Sequence, residues 1–419
     1  MSKIVILDMC PQRDWVLDTF IAEYLNEMGH DAVIRKYIPD GRDAVTIEKP
    51  DVVVLPPIRC NYTYDFAQRL KAWGVSIVVR RSEAGVSRKK FDSLEAMWQE
   101  DHLGRFKYGP LIDAECVWGP EFAQILIDHQ RVSEDKVHIV GGVTLDPYFK
   151  YDIKEAVGKA KTIECKNPGK VILFASGFLH ADHREDFSLP EAPYNDPIHR
   201  VLVNRDKAVR DLWIAVMKET AKHHNVIFRP HPDENLSQYS ELMGIENLYI
   251  DREMGTAVVL KCCDFLVHAG STMAVEAHLL DKPTAMLGDT SQDDLIGTIS
   301  PKVNSVGDLL KVIEKSNGSN ARIKDLSELE ESFYGPIDGQ ATRRVANVVD
   351  MVAREKKNKP EIPNSWPKEE LRNYETPGVK KIDHDEVWRC ICCKKLFVNS
   401  TGSTYRPCPH CGIASTTGA

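Results

Sequence analysis

Short, continuously apolar runs alternate with stretches of helical period along most of this chain, and that alternation admits few folds. Residues 3–7 read as a strand, and Trp15, Phe20, Ile21, Tyr24 and Leu25 fall near helical spacing before Gly29-His30 stops the helix. A second strand follows at 31–34, then a strand at 51–55, a helix at 64–73 and a strand at 75–79. Residues 114–118 and 137–140 add two more strands around a helix at 120–129, and the stretch closes on Gly141-Gly142. Strands with no polar alternation are those of a parallel sheet covered on both faces.

A second progression of the same kind begins after the charged stretch 154–170. Strands are expected at 169–174, 225–228, 248–250, 265–268 and 284–287, with helices at 206–223, 254–262 and 273–280. A last helix is expected at 339–355, followed by Lys-, Pro-, Glu- and Asn-rich residues of linker composition. The fold class is therefore α/β, with two Rossmann-like domains at 1–155 and 165–335 facing a cleft. A helix at 336–358, a linker at 359–384 and a small ribbon at 385–415 complete the chain. Ligands of such sheets bind beyond the carboxyl ends of the strands, so the site is expected there, toward the cleft.

Composition narrows the function. The 419 residues are 42% hydrophobic and 28% charged, enough for two or three packed domains. A net charge of −8 speaks against nucleic acid as a partner. The apolar run at the N-terminus is too short for a signal peptide, and no window approaches the roughly 20 apolar residues of a membrane span. A cytoplasmic protein is expected, working in the cytosol or at the inner face of the membrane. Of 11 cysteines, Cys10, Cys60, Cys116, Cys165, Cys262 and Cys263 are scattered as reduced thiols would be, and five crowd into the last 30 residues.

The segment Asn225-Val-Ile-Phe-Arg-Pro-His-Pro-Asp-Glu234 ends a strand in Arg229-Pro230-His231-Pro232. Two prolines hold a guanidinium and an imidazole at the edge of the sheet, where Arg engages a phosphate bidentately and His donates to an oxygen that leaves with negative charge. Taken alone, the tetrapeptide equally describes a capped strand end. The second element is His268-Ala-Gly-Ser-Thr-Met-Ala-Val-Glu-Ala277, where a strand runs through Gly270, Ser271 and Thr272 directly into a helix. Free amides at such a turn, with two hydroxyls beside them, form an anion site, and Glu276 one turn on is placed to accept from ribose hydroxyls. Ser and Thr are also ordinary N-caps, but two phosphate-compatible turns in one half point to a nucleotide.

This pairing, followed by Asp281-Lys-Pro283, resembles the GT-B glycosyltransferases of bacterial surface polysaccharides. The similarity is to surface carbohydrate biosynthesis proteins, including relatives that transfer Kdo or sialic acid from CMP-sugars, and more distantly to CDP-glycerol glycerophosphotransferases. Trp118-Gly119, Val140-Gly-Gly-Val-Thr-Leu-Asp146, Phe174-Ala-Ser-Gly-Phe-Leu-His-Ala-Asp-His183 and Asp338-Gly-Gln-Ala-Thr-Arg-Arg344 resemble further pieces of that family in order. The resemblance implies that His231, Ser271 and Thr272 meet the donor phosphate, that Glu276 meets the ribose, and that the donor is a nucleotide sugar, with CMP favoured, and the acceptor a glycan hydroxyl. It also implies a general base from an acidic pair before Gly. Here that place reads Arg80-Arg-Ser-Glu-Ala-Gly85, which leaves Glu83 as the candidate and Ala84 in the other position. Arg80, Arg81 and Arg88 around Glu83 are expected to depress its pKa. A surface Glu in a salt-bridged loop is the competing reading. His180, Asp182, His183 and Glu185 form a polar cluster that suits acceptor or donor contacts better than a metal, or supplies the base if Ala84 fills the catalytic place.

Near the C-terminus, Cys390/Cys393 and Cys408/Cys411 form two Cys-x-x-Cys knuckles 14 residues apart. Four thiolates at that spacing suit a tetrahedral structural Zn2+, with iron as the competitor and Cys392 as an extra thiol. The metal would supply most of the folding free energy of so small a ribbon. Ribbons of this kind bind nucleic acid, bind proteins or staple a tail, and a protein partner is one of these open roles. Two other readings stay open: a nucleotide-sugar 2-epimerase of the same architecture, and a degenerate transferase fold used as a binding or scaffold protein through its ribbon.

Overall fold

A computed structural model describes residues 1–9, 11–37, 41–59, 61–81, 88–93, 103, 106–150, 167–178, 181, 197–231, 234–251, 254–288, 299–316, 326–367, 387–389, 396–398, 406–407 and 414–415. The chain divides into two units, Met1–Asp146 with Glu328–Ala419, and Pro147–Ser327. Each is built on a six-stranded parallel sheet, so the protein has the two-domain α/β fold of the GT-B class.

The first unit contains β1 (Lys3–Asp8), β2 (Asp31–Lys36), β3 (Val52–Leu55), β4 (Ser76–Arg80), β5 (Ala114–Val117) and β6 (Val137–Ile139), in the order β2-β1-β3-β4-β5-β6. β3 and β5 are buried at every position, because helices cover both faces of the sheet. One face packs Val5, Val53, Ile77 and Val79 against Phe66 and Leu70. The helix Pro11–Glu27 begins earlier than its apolar spacing indicates, and the helix Gly41–Glu48 has too short a periodic stretch to stand out in the sequence.

The last helix, Ala341–Glu355, belongs to this unit although 195 residues separate it from Asp146. Asp146 is buried and caps it. Its carboxylate accepts from the amides of Ala341 at 3.1 Å and Thr342 at 2.7 Å and from the Thr342 hydroxyl at 2.6 Å, which satisfies donors that a helix start leaves open. Arg344 Nε donates to the Val140 carbonyl at 2.6 Å. Gly119 and Gly141 permit the close approach: a Cβ at Gly119 would stand 2.2 Å from the Phe333 carbonyl oxygen, and one at Gly141, where φ is +94°, 2.7 Å from that of Pro336. Three of the sequence motifs around Gly119, Gly141 and Asp338 thus meet in one seam.

Residues 359–367, which the sequence assigns to a linker, lie instead on the first unit. Lys356 Nζ donates to the carbonyls of Asp51 and Gly74, and the Glu361 amide to that of Trp73. Trp366 stacks on Phe66 with centroids 4.9 Å apart, meets Trp73 edge-on, and lies under the Arg42 guanidinium. Linker composition concealed a tryptophan with an aromatic slot to fill.

The second unit contains β7 (Val171–Ala175), β8 (Asn225–Arg229), β9 (Leu248–Ile250), β10 (Phe265–His268), β11 (Thr284–Leu287) and β12 (Lys302–Val303). From β9 the order runs β9-β8-β7-β10-β11-β12, so the first strand is central and the chain reverses direction across the sheet between β7 and β10. That is the order of the dinucleotide-binding fold, whose ligands sit at this switch point. Trp213, Phe174, Phe228 and Leu287 fill one face of the sheet; Leu173, Ile227, Leu266 and Ala277 fill the other. The long helix Pro197–Thr220 starts before the expected 206, and Val306–Lys315 adds a helix that sequence reading did not assign. Four further strands are short: β13 (Val387–Arg389) pairs antiparallel with β14 (Leu396–Val398), and β15 (Arg406–Pro407) with β16 (Ala414–Ser415).

Candidate functional site

β8 and β10 flank β7 in the second unit, so their carboxyl ends open on the same edge of the sheet. β8 ends on Arg229 and is followed by Pro230 and His231; beyond β10 come Ala269 to Thr272. The two turns singled out in the sequence are therefore neighbours across one strand, at the switch point.

The β8 turn is held from below. Arg229 Nη1 donates to Asp251 Oδ2 at 2.8 Å and to the Met254 carbonyl at 2.6 Å. Asp251 itself extends β9, its amide donating to Phe228 at 2.9 Å, and its other carboxylate oxygen accepts from Met254. One nitrogen of the guanidinium is thus committed to positioning, where the sequence suggested a group wholly available to a phosphate. Glu234, only 2% exposed, accepts from Ser176 Oγ, the Phe178 amide and the Tyr239 hydroxyl, and its own amide donates to the His231 carbonyl. A buried carboxylate with that many donors fixes the loops after β7 and β8 as one piece. His231 is partly buried at the top of this piece.

The β10 turn is just as constrained. Gly270 sits at φ +81°, in the left-handed region that glycine tolerates. Its amide donates to His268 Nδ1 at 3.1 Å, and the Met273 amide to Ser271 Oγ at 3.2 Å. Two of the donors expected to be open are thereby consumed within the turn. Among the described residues, the amides of Ser271 and Thr272 have no acceptor, and Thr272 is exposed. These are the donors an oxyanion can meet.

Glu276 follows in the helix Met273–Leu279, partly buried, and accepts from the Tyr148 hydroxyl. Burial pushes its carboxyl up to about 7, against the opposing effects of the Tyr148 bond and the Arg229 charge. Burial, with the Glu276 charge beside it, also drives the Tyr148 phenol well above its ordinary value. Arg229, Glu276 and Tyr148 thus share one electrostatic neighbourhood, and Tyr148 and Asp251 are members that sequence reasoning missed. Their bonds span 128 and 22 residues, and nothing local announces them.

In the first unit, Glu83 and Ala84 lie outside the described residues, as do His180, Asp182, His183 and Glu185 near β7. The arginines read as neighbours of Glu83 have other partners. Arg80 Nη2 stands 2.7 Å from Asp18, Arg81 Nε donates to Glu115 at 2.6 Å, and Arg88 pairs with Asp92 and Asp128. Arg81 is fully buried, its Nη2 donating to the Tyr108 hydroxyl at 3.0 Å and its guanidinium lying over Phe122. These ion pairs hold the arginines on either side of the segment that carries Glu83. The zinc-ligand candidates Cys390, Cys393, Cys408 and Cys411 lie outside the described residues too; β13 and β14 bracket the first pair, and β15 and β16 the second. No helix among the described residues is long and apolar enough to cross a membrane.

No family model matches the chain, and no curated protein resembles it in sequence. Solved structures do resemble it in fold. UDP-GlcNAc 2-epimerase from Neisseria meningitidis bound to UDP-GlcNAc is 15% identical, with a TM-score of 0.56 over 83% of this chain and 99% of that one. The enzyme from Methanocaldococcus jannaschii in complex with UDP-GlcNAc and UDP is 14% identical, with a TM-score of 0.55 over 83% and 99%. The wall teichoic acid polymerase TagF is 13% identical, with a TM-score of 0.56 over 85% of this chain and 90% of that one.

Proposed function

We propose that this protein is a glycosyltransferase of GT-B fold that moves a sugar from a nucleotide-linked donor to a glycan hydroxyl in surface polysaccharide synthesis, working without a catalytic metal in the cytoplasm or at the inner face of the membrane. The observation that carries the reading is the meeting of the Arg229-Pro230-His231 and Gly270-Ser271-Thr272 turns on either side of β7 at the switch point of one sheet. Arg229 brings fixed positive charge, His231 a donor for the departing phosphate, and the Ser271 and Thr272 amides two dipoles aimed at the same oxyanion. Stabilising the leaving nucleotide by prearranged donors is where such a site gains rate. Glu276 is the acceptor for ribose hydroxyls, exchanging its bond from Tyr148 for bonds from the sugar. Glu83 is the proposed base for the acceptor hydroxyl, and His180, Asp182 and His183 are proposed acceptor or donor contacts.

CMP is the donor nucleotide favoured by the motifs, and UDP is the nucleotide of the two epimerase structures. Calorimetric titration of the full-length protein with CMP, CDP, UMP and UDP, repeated on His231→Ala, decides between them. Selective binding that the substitution weakens at least tenfold supports the site; no binding by any of the four removes the reading and leaves a scaffold role. The second reading is a nucleotide-sugar 2-epimerase, favoured by the two epimerases among the structures named above. Consumption of UDP-GlcNAc with no acceptor present would select it.

Cys390, Cys393, Cys408 and Cys411 are proposed to hold one structural Zn2+. The support is the pair of Cys-x-x-Cys knuckles, each bracketed by short antiparallel strands, as a two-hairpin ribbon requires. Its proposed role is contact with a protein partner.

A further inference from the structure

Behind the Gly270 turn lies a row of buried polar side chains that the donor site does not itself use. His268 ends β10 with no solvent exposure. Its Nδ1 accepts the Gly270 amide at 3.1 Å, so the ring must carry its proton on Nε2, which donates to Ser300 Oγ at 2.8 Å. Ser300 Oγ lies 2.7 Å from Thr284 Oγ1, and Thr284 Oγ1 lies 3.3 Å from His278 Nε2. One direction of donation runs along the row: from His268 to Ser300, from Ser300 to Thr284, and from Thr284 to His278, whose Nδ1 has no partner among the described residues. The row ties the end of β10 to the start of β11, to the residue before Pro301 and to the far end of the helix Met273–Leu279. Four polar side chains in an apolar interior are costly unless they do something for the geometry around them.

What they do is orient a turn. With the Gly270 amide drawn inward to His268 and the Met273 amide taken by Ser271 Oγ, the Ser271 and Thr272 amides are left as the pair with no acceptor among the described residues. We infer that His268, held in a single tautomer by Ser300, is a positioning residue that sets the direction of the Ser271 and Thr272 amides and so determines how tightly the turn holds the donor phosphate. This rests on the nucleotide reading of the site. Burial pushes the imidazole down to about 3, so the neutral, accepting ring persists across the physiological range.

The test separates the two ring nitrogens. Asn places its amide oxygen about where Nδ1 stands and keeps an acceptor for Gly270; Gln places its amide group about where Nε2 stands and loses that acceptor. Both substitutions disturb the same buried site, so thermal melts of His268→Asn and His268→Gln should fall by similar amounts. UDP and CMP titrations should not: His268→Asn is expected to bind within about threefold of wild type, and His268→Gln roughly ten- to hundredfold more weakly, as losing aligned donors to a charged group implies. Ser300→Ala, which frees the tautomer, should fall between. Equal binding by His268→Gln and wild type, or equal loss in both His268 variants, would overturn the inference while leaving the nucleotide site standing. Wild-type protein that binds neither UDP, CMP, UMP nor CDP would overturn both.

Discussion

His268 and Glu276 stand on either side of the Gly270 turn, and their surroundings push them in opposite directions along the pH scale. The Glu276 carboxyl is raised by burial to about 7 from an unfolded value near 4.5. The native state therefore holds more protons than the unfolded chain between those values, and stability drains away as pH rises through that window. His268 is lowered to about 3 from 6.5, so its contribution is lost as pH falls from 6.5 toward 3. Glu276→Gln is expected to flatten the fall in melting temperature between pH 5 and pH 8, and an unchanged slope would show that Glu276 ionises normally. Tyr148→Phe removes a bond that favours the carboxylate, so it should move the same limb to higher pH; identical melting curves for the two proteins would count against the Tyr148 bond. At this scale the sequence was informative where the chemistry is local. Arg229, His231, Ser271 and Thr272 announce themselves within short runs, whereas Tyr148, Asp251 and the Ser300–Thr284 pair reach the site only through folding.

Among the elements, the helix Ala341–Glu355 depends on a carboxylate that it does not itself contain. Asp146→Ala would strip acceptors from two buried amides and a hydroxyl, and about 2–3 kcal/mol should be lost. A urea midpoint within error of wild type would refute the cap. Gly119→Ala tests the same seam from its other side. A methyl group there would meet the Phe333 backbone, which cannot rotate away, and a cost of about 1–3 kcal/mol is expected from the shift in urea midpoint. Most strands were legible because a buried parallel strand is largely apolar: Leu248–Ile250, Phe265–His268 and Thr284–Leu287 match their expected bounds residue for residue, whereas the two-residue edge strand Lys302–Val303 gave no such run. Helix starts were not. Pro11–Glu27 and Pro197–Thr220 extend past the apolar positions that signal them, and the docking of 359–367 turns on one side chain, Trp366, in a stretch of otherwise linker-like composition.

Across the whole molecule, the likeness to the epimerases and to TagF extends over more than four-fifths of the chain and stops short of its whole length. The cysteine-rich end is expected to behave as a separate thermodynamic unit. Metal analysis should find one zinc per chain, and chelation should expose the four cysteines to alkylation while leaving the far-ultraviolet dichroism of the two α/β units almost unchanged. A zinc content near zero, or loss of the whole helical signal on chelation, would contradict that arrangement.

The first unit is discontinuous in the chain: its sheet is complete by Asp146, yet the helix that packs along Pro11–Glu27 ends only at Glu355. A ribosome must add 209 further residues between those points, which at roughly 5–20 residues per second takes about 10–40 s. Through that interval the nascent first unit has an apolar flank with its covering helix still unmade, while the second unit, contiguous from Pro147 to Ser327, can emerge and fold entire. Order of synthesis thus makes the half that begins first the half that finishes last.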